Sequence, residues 1–417
     1  MKEYRLICTV CGAPYEGKTD PYICPICGGL VEPELDLTAD AEHYRQVIRN
    51  GCSSGVWGYR DLLPVDESVE PITLGEGNTP LLDAKNLAKV IGVDQLYLKN
   101  ETLNPSGTYK DRFATVALSI EKAKGTPAVA LGSAGNAASA MAAYSAKADM
   151  PCFVLLPPGA VAERGWQVRG YGANLIRLEH TIDDCITMAK KGEELFGWKS
   201  LTTNMLTNPI ASDGYKTVGY EIGSQLNFQM PDWIIVPVGG AALFNKIYKA
   251  CKDMLDLGLT DKMPHFVGAQ AAGCAPMVDA YEKKLKNPEV WPGIPDTVAF
   301  AIADICVYDG VTAMDIVEKT GGCAEAATDE EILEVMHLIA SKEGVVAEPA
   351  SSCTVACAKK LVDKGVIKSG ESVLCVLSGS GLRDLRLMEQ GQAGEVPFVK
   401  HQDEEAVKAA VQGYLGE

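Results

Sequence analysis

The hydrophobic positions fall into short apolar runs separated by small-residue turns and amphipathic stretches. Ala128–Gly132 reads as a buried strand, followed by the turn Ser133-Ala-Gly135 and an alanine-rich helix from Asn136. Cys152–Leu156 is a second strand, closed by Pro157-Pro-Gly159. Trp233–Val238 is a third, leading through Gly239-Gly240 into a helix to about Met254, and Phe266–Ala269 and Val373–Leu377 repeat the theme. Continuous apolar runs alternating with helical segments predict parallel sheets covered by helices on both faces. Thr328-Asp-Glu-Glu331 forms a capping box ahead of an apolar face of Ile332, Val335, Met336 and Ile339, with Gly344 as the stop.

Upstream the pattern changes. Residues 1–33 carry Cys8/Cys11 and Cys24/Cys27 as two Cys-x-x-Cys pairs, in a segment too short to bury a core. Four thiolates in this spacing suit a tetrahedral structural zinc, with a rubredoxin-like iron site as the alternative. Metal binding would then supply the folding energy of the module. Residues 34–82 form a polar connector with a helical stretch at Ala39–Arg49. The expected division continues with an α/β unit over 83–220, a second over 221–395, and an acidic helical tail over 396–417.

Length and charge narrow the function. A chain of 417 residues supports two or three domains. With a net charge of −17 it lacks the basic balance of a nucleic-acid binder. No apolar run reaches the ~18 residues that cross a bilayer, and the first residues lack a secretory signal, so a cytoplasmic protein with no membrane partner is expected. In that setting the ten cysteines outside the pairs are expected to be buried small hydrophobes. No Walker loop or Gly-x-Gly-x-x-Gly is present, and five histidines form no recognisable triad.

The chemistry should lie where strands end and helices begin. In Asn104-Pro-Ser-Gly-Thr-Tyr-Lys110-Asp-Arg112 a lysine opens a helix. That position disfavours a free cation, but suits an amine used covalently beside an anionic phosphate. On this motif alone, an ordinary surface lysine is the simpler reading.

Further segments change that balance. Leu74-Gly-Glu-Gly-Asn-Thr-Pro-Leu81, Asn104–Arg112, Ser133-Ala-Gly-Asn-Ala137, Glu348-Pro-Ala-Ser-Ser352 and Leu377-Ser-Gly-Ser-Gly-Leu-Arg-Asp384 occur in this order. Together they resemble the threonine synthase family of fold-type II pyridoxal-phosphate (PLP) enzymes, many of which also carry a four-cysteine module. The resemblance implies a tryptophan-synthase-β-like α/β fold with two parallel-sheet domains flanking a cofactor cleft. It implies Lys110 as the covalent cofactor lysine and proton shuttle, Asn136 at the ring oxygen and Ser378 at the ring nitrogen. It places Gly239, Gly240, Ala241, Ala242 and Leu243 on the cofactor phosphate, and Ser133, Ala134, Gly135 and Ala137 on the substrate carboxylate. The implied reaction converts O-phospho-L-homoserine and water to L-threonine and phosphate, in a monomer or homodimer.

The departures concern anion donors. The family's phosphate loop commonly reads Gly-Asn-x-Gly-Asn, whereas this chain has Gly239-Gly-Ala-Ala-Leu243. Two hydroxyl residues of the carboxylate loop are Ala134 and Ala137, a basic residue is replaced by Ala211, and an Ile-Arg pair by Ala303-Asp304. Arg164, Arg169, Lys216 and Arg383 are candidate replacements, each also readable as a surface charge. These losses keep open a PLP-dependent β-elimination or β-replacement of the ammonia-lyase or cysteine/cysteate synthase type, and a non-catalytic PLP-binding relative.

Overall fold

The computed structural model describes residues 4–17, 21–133, 135–157, 162–179, 181–389, 396–399 and 403–415. Twelve strands occur among them: β1 (Arg5–Cys8), β2 (Val31–Glu34), β3 (Leu81–Asp83), β4 (Gln95–Asn100), β5 (Val129–Gly132), β6 (Cys152–Leu156), β7 (Asn174–Arg177), β8 (Lys199–Ser200), β9 (Trp233–Pro237), β10 (His265–Ala271), β11 (Cys323–Ala327) and β12 (Ser372–Leu377).

Three sheets result. β1 and β2 form an antiparallel pair. A six-stranded sheet has the order β11-β10-β9-β12-β4-β3, parallel except for the antiparallel edge strand β3. A four-stranded parallel sheet has the order β7-β6-β5-β8. The larger sheet joins β3 and β4 to strands more than a hundred residues later, a pairing that local periodicity does not encode.

The strand sequences account for the layers. All five residues of β9, Trp-Ile-Ile-Val-Pro, are buried. Ile234 and Val236 pack with helices Lys216–Gln225, Ala242–Asp256 and Gly310–Thr320, whereas Trp233 and Ile235 pack with helices Lys85–Ile91, Asp329–Glu343 and Pro349–Asp363. A period of two thus feeds two cores, and each buried Val, Leu or Ile contributes about 1.5–3 kcal/mol before entropy is counted. The smaller sheet does the same, with Leu131 and Val154 facing helix Asn136–Lys147 while Ala130 and Leu155 face helix Ile182–Phe196.

Local signals hold where their chemistry is local. Thr328 and Glu331 form the reciprocal capping box, Ile332, Val335, Met336 and Ile339 are buried, and Gly344 closes the helix at φ 70°. Of the ten cysteines outside the N-terminal module, eight are buried and two half-buried, none of them bridged, as expected of small hydrophobes. The C-terminal segment includes the helix Glu404–Leu415. No described helix is long and apolar enough to cross a membrane.

The sulfurs of Cys8, Cys11, Cys24 and Cys27 all lie within 4.8 Å of one another. A tetrahedron with Zn–S arms of ~2.3 Å has edges near ~3.8 Å, so the spacing fits a four-thiolate metal centre. Polar contacts among the described residues fasten the module to the α/β body. Glu32 on β2 pairs with the buried Lys246 at 2.8 Å, Thr9 Oγ1 meets Thr312 Oγ1 at 2.6 Å, and Tyr22 N–H donates to Leu206 O at 2.8 Å.

Candidate active site

A cavity of about 490 Å³ lies between the two parallel sheets, at the carboxyl ends of their strands. The turn after β5 supplies Ser133, Gly135, Asn136 and Ala137, the turn after β9 supplies Gly239 to Leu243, and Ser378 follows β12. Lys110 and Glu348 also line it. The structure therefore gathers on one wall system every residue that the family resemblance assigns to cofactor or substrate, save Ala134, which lies outside the described residues.

Lys110 caps helix Asp111–Ala123. Its Nζ donates to Thr203 Oγ1 at 2.9 Å and lies 4.7 and 5.5 Å from the ring centroids of Tyr109 and Tyr215. The lysine loop is stitched to the Ser378 loop by Tyr109 N–H to Ser378 O at 3.0 Å and Ser380 N–H to Gly107 O at 2.9 Å. Gly107 adopts φ 79°, and a Cβ there would press on Ser380 and Arg383.

Beneath the lysine lies a dry ionic cluster. Arg112 bonds Glu101 and Glu221, each at 2.7 Å, and Lys99 reaches Glu221 at 2.7 Å, with all four side chains fully buried. Two cations balance two carboxylates, which offsets the desolvation that isolated charges would suffer. Asp111, beside Lys110, is also buried and accepts from the Ser106 amide at 2.7 Å and from its hydroxyl. Burial pushes its carboxyl up to about 7, against the pull of the Ser106 hydrogen bonds.

The Gly239–Leu243 loop leads into helix Ala242–Asp256. Ala241 holds a left-handed conformation at φ 74°, rare for a residue with a Cβ and a form of strain that clusters at functional sites. The first amides of such a helix lack intrahelical partners and favour an anion. A Cβ built at Gly239 would collide with Asp304 Oδ2. The Asp304 side chain is exposed to solvent through the cavity mouth, although protein walls crowd it on its other sides, so solvent moderates the effect of that crowding. The crowding raises its carboxyl to about 6, with Lys110 and the Gly240 amide pulling the other way.

The far wall holds residues to which the sequence reading gave no role. Tyr308 donates to Asp183 at 2.8 Å, and both line the cavity. Thr203 follows β8, whose two residues carry no periodic signal; only the rule that sites follow strand ends pointed there. Glu348, quoted within a motif, accepts from Asn136 Nδ2 at 3.0 and 2.9 Å and from Ser378 Oγ at 3.2 Å.

The four candidate anion donors fare differently. Lys216 is buried, bound to Asp213 at 2.9 Å and to Leu62 O at 3.0 Å, so it braces the interior. Arg169 is exposed. The side chain of Arg164 lies outside the described residues. Arg383 donates to Asn136 Oδ1 and so stands behind the cavity wall. Among the described residues lining the cavity, Lys110 is the only cation.

Comparison with known proteins agrees with this geometry. Residues 72–379 match the family described as "Pyridoxal-phosphate dependent enzyme". The chain is 38% identical to threonine synthase of Methanocaldococcus jannaschii over 378 residues, 90% of this chain and 92% of that one. It is 37% identical to threonine synthase of Methanosarcina acetivorans over 415 residues, 98% of this chain and 99% of that one. Among solved structures, the processed form of threonine deaminase isoform 2 from Solanum lycopersicum aligns with TM-score 0.65 at 20% identity, covering 85% of this chain and 95% of that one. Maize serine racemase aligns with TM-score 0.64 at 21% identity, covering 75% and 91%. These two show the fold, and the relatives near 38% identity show the lineage. The chain belongs to the pyridoxal-phosphate-dependent enzymes and, within them, to the threonine synthase family.

Proposed function

We propose that this enzyme is a PLP-dependent lyase that converts O-phospho-L-homoserine and water to L-threonine and phosphate. The observation that carries the reading is the convergence of Lys110, Asn136, the Gly239–Leu243 loop and Ser378 on one cavity. The residues fit the cofactor: the loop has no Cβ at Gly239, where one would collide, and it opens a helix N-terminus to a phosphate, while Lys110 ends inside the cavity.

When bound, the cofactor supplies an electron sink for negative charge developing at the substrate α carbon. Lys110 takes and returns protons at the α and β carbons, with Thr203 orienting its Nζ. Ser133, Gly135 and Ala137, at the start of helix Asn136–Lys147, would hold the substrate carboxylate together with Ala134. The Ser133 amide already donates to Leu155 O at 3.0 Å, so Ser133 acts through its hydroxyl. Gly239 to Leu243 hold the cofactor phosphate, Asn136 meets the ring oxygen, and Ser378 meets the ring nitrogen. Four thiolates hold a structural zinc that folds the N-terminal module. The address is cytoplasmic and the assembly a monomer or homodimer.

A second reading has its own support. Among the described residues, the cavity wall carries Asp183, Asp304 and Glu348 against the single cation Lys110, which favours a substrate without a phosphate and hence a β-elimination or β-replacement. Incubating purified protein with O-phospho-L-homoserine and quantifying phosphate and threonine separates the two. Equal release of both supports threonine synthase; neither product, from protein that holds the cofactor, supports the second reading.

A further inference from the structure

Polar contacts between the N-terminal module and the α/β body fall on segments that also line the cavity. Glu32 reaches Lys246 on helix Ala242–Asp256, which the Gly239–Leu243 loop opens. Tyr22 donates to Leu206, shortly after Thr203, and Thr9 meets Thr312, shortly after Tyr308. These segments are tied together at Asp309. Its N–H donates to Gly240 O at 2.9 Å, its Oδ2 accepts from Met205 N–H at 3.1 Å, and its carbonyl accepts from Asn245 Nδ2 at 3.0 Å. The module thus grips the Thr203 segment, the helix and the chain beyond Asp309 just outside this knot.

Lys246 is fully buried and has two carboxylate partners, Glu32 at 2.8 Å and Asp213 at 2.7 Å. Asp213 also holds the buried Lys216 at 2.9 Å. The neighbouring Asp253 is engaged by Lys249 at 3.1 Å and by the Tyr220 hydroxyl at 2.6 Å. Withdrawing Glu32 therefore leaves Lys246 and Lys216 sharing Asp213 away from water, a costly arrangement that the helix relieves only by shifting. What holds Glu32 in place is the module itself. Glu32 sits opposite Ile7 in the β1–β2 pair, and Cys8 ends β1. A lone two-stranded ribbon is at best marginal in water, so a metal on the four thiolates fixes the position from which Glu32 reaches Lys246.

We propose that Glu32 is a positioning residue that couples the metal module to the cofactor-phosphate loop, so that metal and cofactor each raise the protein's affinity for the other. The proposal rests on the readings that the module holds a metal and that the cofactor phosphate lies on Gly239–Leu243. It gives the module a part in the site beyond its own folding: two sites biased by one buried ion pair are linked reciprocally.

The test titrates pyridoxal phosphate into cofactor-free full-length protein, with zinc in place and after chelation, and reads the absorbance of bound cofactor. Metal removal is expected to raise the dissociation constant by ~5-fold or more, the usual range of coupling between sites. Competition for zinc with a chromogenic chelator, with and without saturating pyridoxal phosphate, gives the metal affinity, and linkage requires the same factor there. Glu32→Gln removes the charge but keeps the four thiolates, so it should still bind zinc while both factors fall toward one. A wild-type factor of one in either titration overturns the proposal. So do lower affinities in Glu32→Gln with the factor unchanged, which mark a merely structural role. The wild-type titrations decide even if the variant does not fold. Zinc-loaded protein that binds no cofactor overturns the reading of the cavity and the proposal with it; protein that binds no metal does the same for the module.

Discussion

Lys110 Nζ donates a hydrogen bond to Thr203 Oγ1 at 2.9 Å, joining the lysine loop to the segment that follows β8 of the smaller sheet. The bond aims a flexible four-carbon chain at one point of the cavity. Lys110→Ala is expected to abolish the absorbance of bound cofactor and to lower the rate by at least ~10²–10⁴-fold. Thr203→Val should keep the absorbance and lose one orienting bond, worth on the order of 1 kcal/mol, so kcat falls about tenfold or less. Absorbance and steady-state kinetics on the two variants check both outcomes.

Asp304 stands beside the loop assigned to the cofactor phosphate, and its carboxyl is raised to about 6 by the walls that crowd it. Below that value it is neutral; above it a carboxylate faces a phosphate. Cofactor affinity is therefore expected to weaken as pH rises through about 6. Asp304→Asn should bind more tightly than wild type above that pH and no better below it. A ratio of the two dissociation constants that stays flat with pH would contradict this.

Burial pushes the Asp309 carboxyl up to about 7, and its Oδ1 has no hydrogen-bond partner among the described residues. Between about 4 and 7 the folded chain holds this proton and the unfolded chain does not, so stability falls as pH rises across that window. The full loss is on the order of 4 kcal/mol. Asp309→Asn is expected to flatten the slope and raise the melting temperature near pH ~7, which thermal melts across the window measure.

Arg112 neutralises Glu101 and Glu221 in a region without water access. Arg112→Ala leaves two carboxylates against Lys99 alone and should destabilise the fold by about 3–5 kcal/mol. A denaturant midpoint close to wild type would rule this out.

Among its described residues the N-terminal module of residues 1–33 has one two-stranded sheet, formed by β1 and β2, too small to persist unaided. Stripping the metal with a chelator is expected to expose the amides of Cys8, Cys24 and Val31 to hydrogen exchange, since their acceptors Ala13, Gly29 and Tyr22 all lie within the module. The two parallel sheets should stay protected. Unchanged exchange at those amides after metal loss would show that the module folds by docking alone.

Where a signal was short-range, the sequence carried it. β6 spans the Cys152–Leu156 run and the Thr328 capping box forms, because apolar runs and caps act within a few residues. The lysine loop and the glycine turn were visible as helix-opening motifs, and Ser378 through the family resemblance. What was hidden depends on packing. Lys216 looks like an available cation in the sequence, yet the fold spends it on Asp213 and Leu62. β8 is too short for a period to show, which concealed Thr203. Glu348 sat in a quoted motif, but only the turn at Gly379 reveals what its carboxylate holds.

The pairing of β4 with β12 also bears on how the protein is made. β4 emerges early from the ribosome, but its central partner spans Ser372–Leu377. The sheet β7-β6-β5-β8 is complete once residue 200 is out, so it can fold while synthesis continues. Until the last strand arrives, the apolar faces of Leu96 and Leu98 await it. A nascent chain stalled before residue 372 therefore keeps β4 paired with β3 alone and leaves its β12-facing edge open to other chains, while the cavity still lacks Ser378.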